Sequence, residues 1–249
     1  MGDEMSIVFK IIKKVVVGIL TLAVMAVITF LLWRIFSSGD PKSMKVIDVN
    51  DDLYAAYQAE GEDLYTFKQE QRSITSGDDN YGYFAITDYK IIPAADQIQT
   101  VVRYNNSTLR ATAEDYELSE ALAREDEVYD VTLLFAIDLT PNDTEDNSGN
   151  DEESVEFIRC HGEVVLSDTK NMYNYRKMVF DLKDAGLDIS ALMDEGLLLA
   201  IYADFYYVGD IDYEATPYGT LCLYDYKSVN MLVELEKADI KALEAYKED

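Results

Sequence analysis

The sequence predicts a mainly β protein, in which a single N-terminal transmembrane helix is followed by an antiparallel, β-sandwich-like domain with a few short helices. The helix is predicted because residues 15–33 carry no charge. At about 1.5 Å per residue they extend roughly 28 Å, close to the hydrocarbon thickness of a bilayer. The β domain is predicted because several later segments alternate apolar and polar residues with a period of two.

The charges around the apolar segment predict its orientation. Three lysines precede it (Lys10, Lys13, Lys14) and three basic residues follow it (Arg34, Lys42, Lys45). Since the two counts are balanced, the decisive feature is a short basic tail followed by a long acidic domain, and long domains translocate largely regardless of charge. The apolar run is longer than that of a cleaved signal peptide and has no good cleavage site, so we expect it to remain as an anchor.

These features divide the chain into four predicted parts. Residues 1–14 form a cytoplasmic basic tail, and residues 15–36 form an anchor in the lipid bilayer. Residues 37–43 form a linker, and residues 44–249 form an acidic, β-rich extracytoplasmic domain. We therefore expect a single-pass protein of the cell membrane, with its N-terminus in the cytoplasm and its C-terminal domain outside.

Local patterns predict the elements of the domain. Strands are expected at 44–49, 82–92, 98–104, 128–139, 155–167, 172–182, 197–208 and 219–226, with 155–167 and 172–182 forming an antiparallel pair. Helices are expected at 51–58 and 188–195, which begin with Asp and end near Gly61 and Gly196, at 113–124, and directly after Asp239. The clearest strand is 128–139, in which one face collects six apolar residues: Tyr129, Val131, Leu133, Phe135, Ile137 and Leu139.

Net charge restricts the partners of the domain. The chain has 21 basic and 48 acidic residues, and the first 39 residues hold four and two of them, which leaves a net charge of about −29 on the rest. Such a domain repels nucleic acid, so nucleic acid is not expected as a partner. A basic protein or another cationic ligand is the partner class that the charge favours, although the same charge also serves solubility alone.

The two cysteines and the single histidine give no catalytic arrangement. Cys160 and His161 are neighbours on a predicted strand and therefore point to opposite faces, Cys160 inwards and His161 towards solvent beside Glu163. One histidine is too few for a multi-histidine metal site. Cys160 and Cys222 lie on separate predicted strands, where they form either a disulfide or two free thiols.

Acidic residues suggest two further interpretations. The segment 138–153 is rich in oxygens that can bind calcium, among them those of Asp143, Asp146 and Asp151. Because the spacing of its acidic residues departs from the EF-hand pattern, a solvated loop is the simpler reading. A smaller loop of the same type lies at 76–80. Asp204 lies in a nearly all-apolar strand and is the one carboxylate whose surroundings favour a catalytic role, against the simpler reading of an outward-facing or tyrosine-paired residue.

Tyrosine is abundant, with 19 in the chain. The last third contains a group of seven: Tyr202, Tyr206, Tyr207, Tyr213, Tyr218, Tyr224 and Tyr226. Such residues line sugar- or cation-binding surfaces, but they are also ordinary strand residues that pack across a sheet.

These observations predict a membrane-anchored extracytoplasmic binding or structural domain that is not an enzyme. No catalytic, cofactor-binding or metal-ligating residue is assigned, and no cofactor is expected. The alternatives are a carboxylate-dependent hydrolase of wall polymer or glycan, with Asp204 as one acid, and a weak calcium-dependent adhesion module.

Overall fold

The structure is a computed structural model. It describes residues 2–36, 40–61, 64–69, 74–76, 84–105, 129–139, 155–170, 173–207, 217 and 219–246. The chain divides into two compact units, Met1–Gly39 and Asp40–Asp249. The predicted helix at 113–124 and most of the acidic loop, including Asp143, Asp146 and Asp151, lie outside the described residues.

The first unit contains one long helix, α1 (Gly2–Phe36). Its segment Lys13–Leu32 is long and apolar enough to cross a membrane, and none of it is buried inside the protein. An N-terminal apolar helix was predicted, and it is present. A signal sequence near the N-terminus can meet the same criteria of length and hydropathy.

The second unit begins with two helices rather than a strand. The predicted strand at 44–49 is wrong: helix α2 (Lys42–Lys45) occupies its start, and extended chain without strand pairing follows. The reason is tertiary, because Met44 packs against Val101 and Tyr175 in a small buried cluster. Helix α3 (Asp51–Glu60) confirms the prediction for 51–58. The Asn50 side chain accepts a hydrogen bond from the Leu53 amide at its start, and Gly61 ends it at a φ of 64°.

Eleven strands are described, and they form two antiparallel sheets. Sheet A has the order β11-β1-β3-β4-β8-β7, with β2 also paired to β3. Its strands are β1 (Tyr65–Gln69), β2 (Ile74–Ser76), β3 (Phe84–Ile92), β4 (Gln97–Tyr104), β7 (Glu163–Lys170), β8 (Tyr173–Asp181) and β11 (Asn230–Glu234). Sheet B has the order β10-β9-β5-β6, from β5 (Tyr129–Asp138), β6 (Val155–His161), β9 (Leu198–Tyr207) and β10 (Gly219–Asp225).

This arrangement confirms the mainly β, sandwich-like fold. The predicted strands at 82–92, 98–104, 128–139, 197–208 and 219–226 correspond to β3, β4, β5, β9 and β10. Strand β5 alternates as expected: Val131, Leu133 and Phe135 are fully buried. Leu139 was also assigned to that face, but it lies beyond the end of the strand and is 53% exposed.

The predicted strand at 155–167 is in fact two strands in two different sheets. β6 pairs with β5 in sheet B, whereas β7 pairs with β8 in sheet A, so the predicted hairpin holds only for β7 and β8. Gly162 alone separates β6 from β7. A Cβ atom at this position would lie 2.6 Å from the Phe180 ring, so only glycine lets the chain pass between the sheets here. Because the strand breaks there, Val164 is exposed, although uninterrupted alternation from Cys160 would place it on the buried side.

The main core lies between the inner faces of the two sheets. At one end it contains an aromatic cluster in which Phe84 packs against Tyr129, Phe205 and Tyr104 at centroid distances of 4.8, 5.3 and 6.4 Å. The guanidinium of Arg176 lies 4.6 Å from the centroid of the Tyr129 ring. Burial of this apolar surface is the principal stabilising contribution to the sandwich.

Two further helices complete the unit, α4 (Ile189–Asp194) and α5 (Lys237–Tyr246). The first confirms the prediction for 188–195, since Asp188 caps it by accepting a hydrogen bond from the Ala191 amide. The second begins before Asp239, so the expectation that Asp239 precedes the helix is wrong. Asp239 lies in the first turn and is fully buried.

Candidate functional site on the outer face of sheet B

The side of sheet B that faces away from the core presents a set of side chains in cross-strand rows. We call this set the B face: Asp130, Thr132, Leu134, Ala136, Asp138, Phe157, Arg159, His161, Ala200, Tyr202, Asp204, Tyr206, Thr220, Cys222 and Asp225. One row joins His161, Thr132, Asp204 and Thr220, and the next joins Arg159, Leu134, Tyr202 and Cys222. The rows follow from the pleat, because these residues alternate with core residues along each strand.

Asp204 lies at the centre of the polar part of the B face. Its carboxylate accepts a hydrogen bond from the Thr220 hydroxyl at 2.7 Å and forms an ion pair with the Arg159 guanidinium at 3.3 Å. The same Arg159 nitrogen donates a 2.8 Å hydrogen bond to the Thr132 hydroxyl. The Asp204 side chain is only 4% exposed, so these neighbours replace the water that an isolated carboxylate would require. Asp204 therefore faces away from the core, as the simpler reading expected, but its neighbours cover it and Arg159 pairs with it.

Tyr206 completes this cluster. The Arg159 guanidinium lies 5.2 Å from the centroid of its ring. Burial first, and then the negative charge of Asp204, raise the pKa of the Tyr206 hydroxyl. Arg159 thus contacts Tyr206, Asp204 and Thr132 at once, which holds its long side chain in one orientation.

His161 lies on the solvent side, as predicted, but its carboxylate neighbour is a different one. Its Nδ1 atom lies 4.0 Å from the Asp130 carboxylate, and its side chain is 54% exposed. The sequence suggested Glu163 instead. Glu163 follows Gly162 into sheet A, so the break in the strand separates it from the row that contains His161.

The other part of the B face is apolar. Phe157 is 60% exposed, and its strand register places it beside Ala136, which is paired in turn with Ala200. The half-buried side chains of Leu134 and Tyr202 occupy the adjoining row. An exposed phenyl ring beside small residues leaves its face accessible to a ligand.

Cys160 and Cys222 are free thiols on the two edge strands of sheet B. Three strand spacings separate β6 from β10, roughly 14 Å, which is far beyond the Cα distance of a disulfide. The disulfide alternative is therefore wrong. Cys160 points into the core, where burial and then the charges of Asp181 and Asp184 raise its pKa to about 11. Cys222 lies on the B face, partly exposed.

Of the four tyrosines in this group whose side chains the structure describes, Tyr202 and Tyr206 lie on the B face. Tyr224 packs in the core, and Tyr226 lies half exposed beyond the end of β10. Tyr213, Tyr218 and the side chain of Tyr207 lie outside the described residues. Among the residues that the structure describes, no group of three or more His, Cys, Asp or Glu side chains is placed to hold a metal ion.

A second polar cluster, on the outer face of sheet A, was not anticipated. Lys90 forms a 2.7 Å ion pair with Asp239, and the two side chains are 7% and 1% exposed. Lys90 also donates to the Lys45 carbonyl at 3.0 Å, and Lys177 donates to the carbonyls of Ser43 and Val46. Two buried lysines therefore bind the backbone of residues 43–46, the segment with which the chain enters the second unit. The available signal was a lysine within the otherwise apolar run YKII of β3.

In comparisons with known proteins, no family model matches this chain, and no curated protein or solved structure is significantly similar to it.

Proposed function

We propose that this protein is a membrane-anchored, extracytoplasmic binding domain that is not an enzyme and that holds a basic polypeptide on the B face. The observation that carries this proposal is an exposed aromatic ring, Phe157, on a face whose carboxylates outnumber its single arginine. The sandwich supplies the rigid support on which such a face is displayed.

Charge supports a cationic occupant. Asp204 neutralises Arg159, the one permanently charged basic side chain of the B face, so Asp130, Asp138 and Asp225 leave the face net negative. The whole chain has a formal charge of −27, which raises the local concentration of basic partners and repels acidic ones. Lysine or arginine side chains of a partner are attracted to the carboxylates and to the face of an aromatic ring.

The location of the B face fits a tethered domain. The chain enters the second unit on the outer face of sheet A, where Lys177 holds Ser43 and Val46. The B face lies on the opposite side of the same sandwich. The entering segment therefore does not compete with a partner for the B face.

The anchor and its orientation form a separate part of the proposal, with its own test. With Lys13–Leu32 in the bilayer and the short basic tail in the cytoplasm, protease added to intact cells should degrade the domain from Asp40 onwards. The anchor should also resist extraction by alkaline carbonate. A domain that survives external protease, or a protein released by carbonate, would refute this placement.

Binding can be tested with the full chain in detergent micelles and two synthetic peptides, one alternating lysine with leucine and one alternating lysine with serine. We expect the lysine–leucine peptide to bind more tightly, because it offers both charge and apolar contact. Phe157→Ala should weaken its binding on the order of tenfold, as loss of an aromatic anchor does. The matched control is Val164→Ala, which removes an exposed apolar side chain of sheet A. Equal loss in both variants, or equal binding of both peptides, would overturn the proposed site.

One observation favours the hydrolase alternative. Asp130 and Asp204 are diagonal neighbours across β5 and β9. The backbones of such neighbours are typically about 7–8 Å apart, and the carboxyl groups of paired acids in inverting glycosidases are about 6.5–9.5 Å apart. However, both oxygens of Asp204 are engaged, Oδ1 by the Thr220 hydroxyl and Oδ2 by Arg159, and the side chain is only 4% exposed, so it is poorly accessible to a substrate. A reducing-sugar assay on soluble glucan should show no hydrolysis. Activity that Asp204→Asn abolishes would establish this alternative instead.

A further inference from the structure

Strand β11 forms one edge of sheet A and presents apolar side chains to solvent on both of its faces. It pairs with β1 alone among the described strands. Met231 and Leu232 are adjacent and therefore point to opposite faces, yet they are 44% and 55% exposed. Val229, just before the strand, is 67% exposed. An edge of this kind is a template for pairing with another strand.

Strand β11 also lacks the features that usually prevent edge pairing. Its register with β1 runs from Asn230 to Glu234 without a bulge, and it contains no proline and no lysine. Three other edge strands, β10, β7 and β6, differ. β10 has an irregularity between Cys222 and Tyr224, and β7 has one between Val164 and Leu166. β6 carries Glu156 and Arg159. Of these four strands, β11 alone combines regular geometry, low charge and exposed apolar side chains.

The sequence of β11, NMLVE, is complementary to itself in the antiparallel direction. A twofold axis through Leu232 places Leu232 opposite its own copy and Met231 opposite Val233. The same axis places Asn230 opposite Glu234, so the carboxylate faces an amide donor and not a second carboxylate. An isologous contact of this kind closes as a dimer and does not propagate.

We propose that two copies of this chain pair through β11, in antiparallel register about Leu232, and so extend sheet A across a twofold axis. The charge of −27 on each chain opposes this contact by mutual repulsion. Added salt screens that repulsion, so the dimer should become more populated as ionic strength rises. The contact lies in sheet A, so it leaves the B face accessible in both copies.

The register gives a direct test by cysteine cross-linking of the full chain in detergent micelles, in a Cys222→Ser background. Directly opposed residues have Cα atoms about 4.5–5.5 Å apart, within disulfide range, so Leu232→Cys should form a disulfide-linked dimer on mild oxidation. Met231→Cys is the matched control. It is equally placed on the edge, but its two copies would lie beyond about 7 Å, so it should cross-link poorly.

Light scattering on the full chain supplies a second measurement. The wild type should have the mass of a dimer, and Leu232→Lys should have the mass of a monomer, because an edge lysine blocks strand pairing and Leu232 is too exposed to be essential for folding. Equal cross-linking of Leu232→Cys and Met231→Cys, or a monomeric wild type at high salt, would overturn the proposal. A dimer that Leu232→Lys leaves intact would do so as well, since it would place the contact elsewhere.

Discussion

The two outer faces of the sandwich each carry an ion pair, but the two pairs differ in how deeply their side chains are buried. On sheet A, Lys90 and Asp239 are sealed beneath the entering segment and α5, with 7% and 1% of their side chains exposed. On sheet B, Arg159 remains 23% exposed above a nearly buried Asp204. The first pair fixes chain segments that are distant in sequence. The second pair fixes side chains on an accessible surface. The two ion pairs therefore differ in burial and in whether they join distant segments or orient side chains at a surface.

The largest expected effect comes from breaking the sealed pair. Asp239→Ala would leave the Lys90 ammonium buried with only the Lys45 carbonyl, and would also remove the acceptor of the Ile47 amide. We expect a loss of about 3–5 kcal/mol in the free energy of unfolding, measured by urea denaturation. A loss below about 1 kcal/mol would show that the sheet A cluster is not sealed, and the contrast between the faces would fail.

Breaking the pair on the B face should cost less. Arg159→Met keeps much of the apolar stem but removes the cation, which leaves Asp204 with the Thr220 hydroxyl and access to water where the guanidinium was. We expect a loss of about 1–3 kcal/mol by the same denaturation assay. A loss as large as that of Asp239→Ala would mean that the B face is structural. The double variant should show additive losses, because the two pairs lie on opposite sides of the sandwich.

The thiol of Cys160 gives a pH-dependent test of how well the interior is buried. The pKa of Cys160 is raised to about 11 from 9.0, so the folded state binds more protons than the unfolded state between those values. The free energy of unfolding should therefore fall as pH rises from about 9 to about 11, by up to about 1.4 kcal/mol per pH unit from this group. Across this pH window, the free energy of unfolding measured by urea denaturation should fall less steeply for Cys160→Ala than for the wild type. Identical slopes would contradict the burial of this thiol.

The smallest effect is expected for a pair that is exposed on both sides. Lys183 and Asp52 meet at 2.8 Å with about half of each side chain exposed. Asp52 raises the pKa of Lys183 through a hydrogen bond, but solvent screens such pairs. Asp52→Ala should change the free energy of unfolding by less than about 1 kcal/mol in a urea titration. A larger loss would break the ordering of the ion pairs by burial.

Much of the sheet architecture was predictable because a strand with one buried face must alternate. The apolar residues from Tyr129 to Ile137 form the buried inner face of β5, and Asp188 identified the start of α4 through its capping role. The break at Gly162 was not predictable from the local pattern, because strand-forming residues such as Val164 and Val165 continue directly beyond it. Its cause is a contact with Phe180, a residue on another strand.

The candidate site was predictable only in part, because its groups converge through tertiary structure. Asp204 attracted attention as an acid in an apolar strand, but its partner Arg159 lies 45 residues away. Lys90 and Asp239 are 149 residues apart, and no local pattern links them. Similarly, the strand expected at 44–49 is replaced at its start by α2, where Met44 is buried. Two lysines of sheet A, Lys90 and Lys177, also donate to backbone carbonyls of this segment.

The single residue between β6 and β7 has a consequence for cooperativity. Because a single residue connects these strands, β7 cannot separate from sheet A without also displacing β6 from sheet B. Each sheet therefore constrains the other through a covalent link as well as through the core. We expect the domain to lose both sheets in one transition, with hydrogen exchange in β5 and in β8 sharing the same opening free energy.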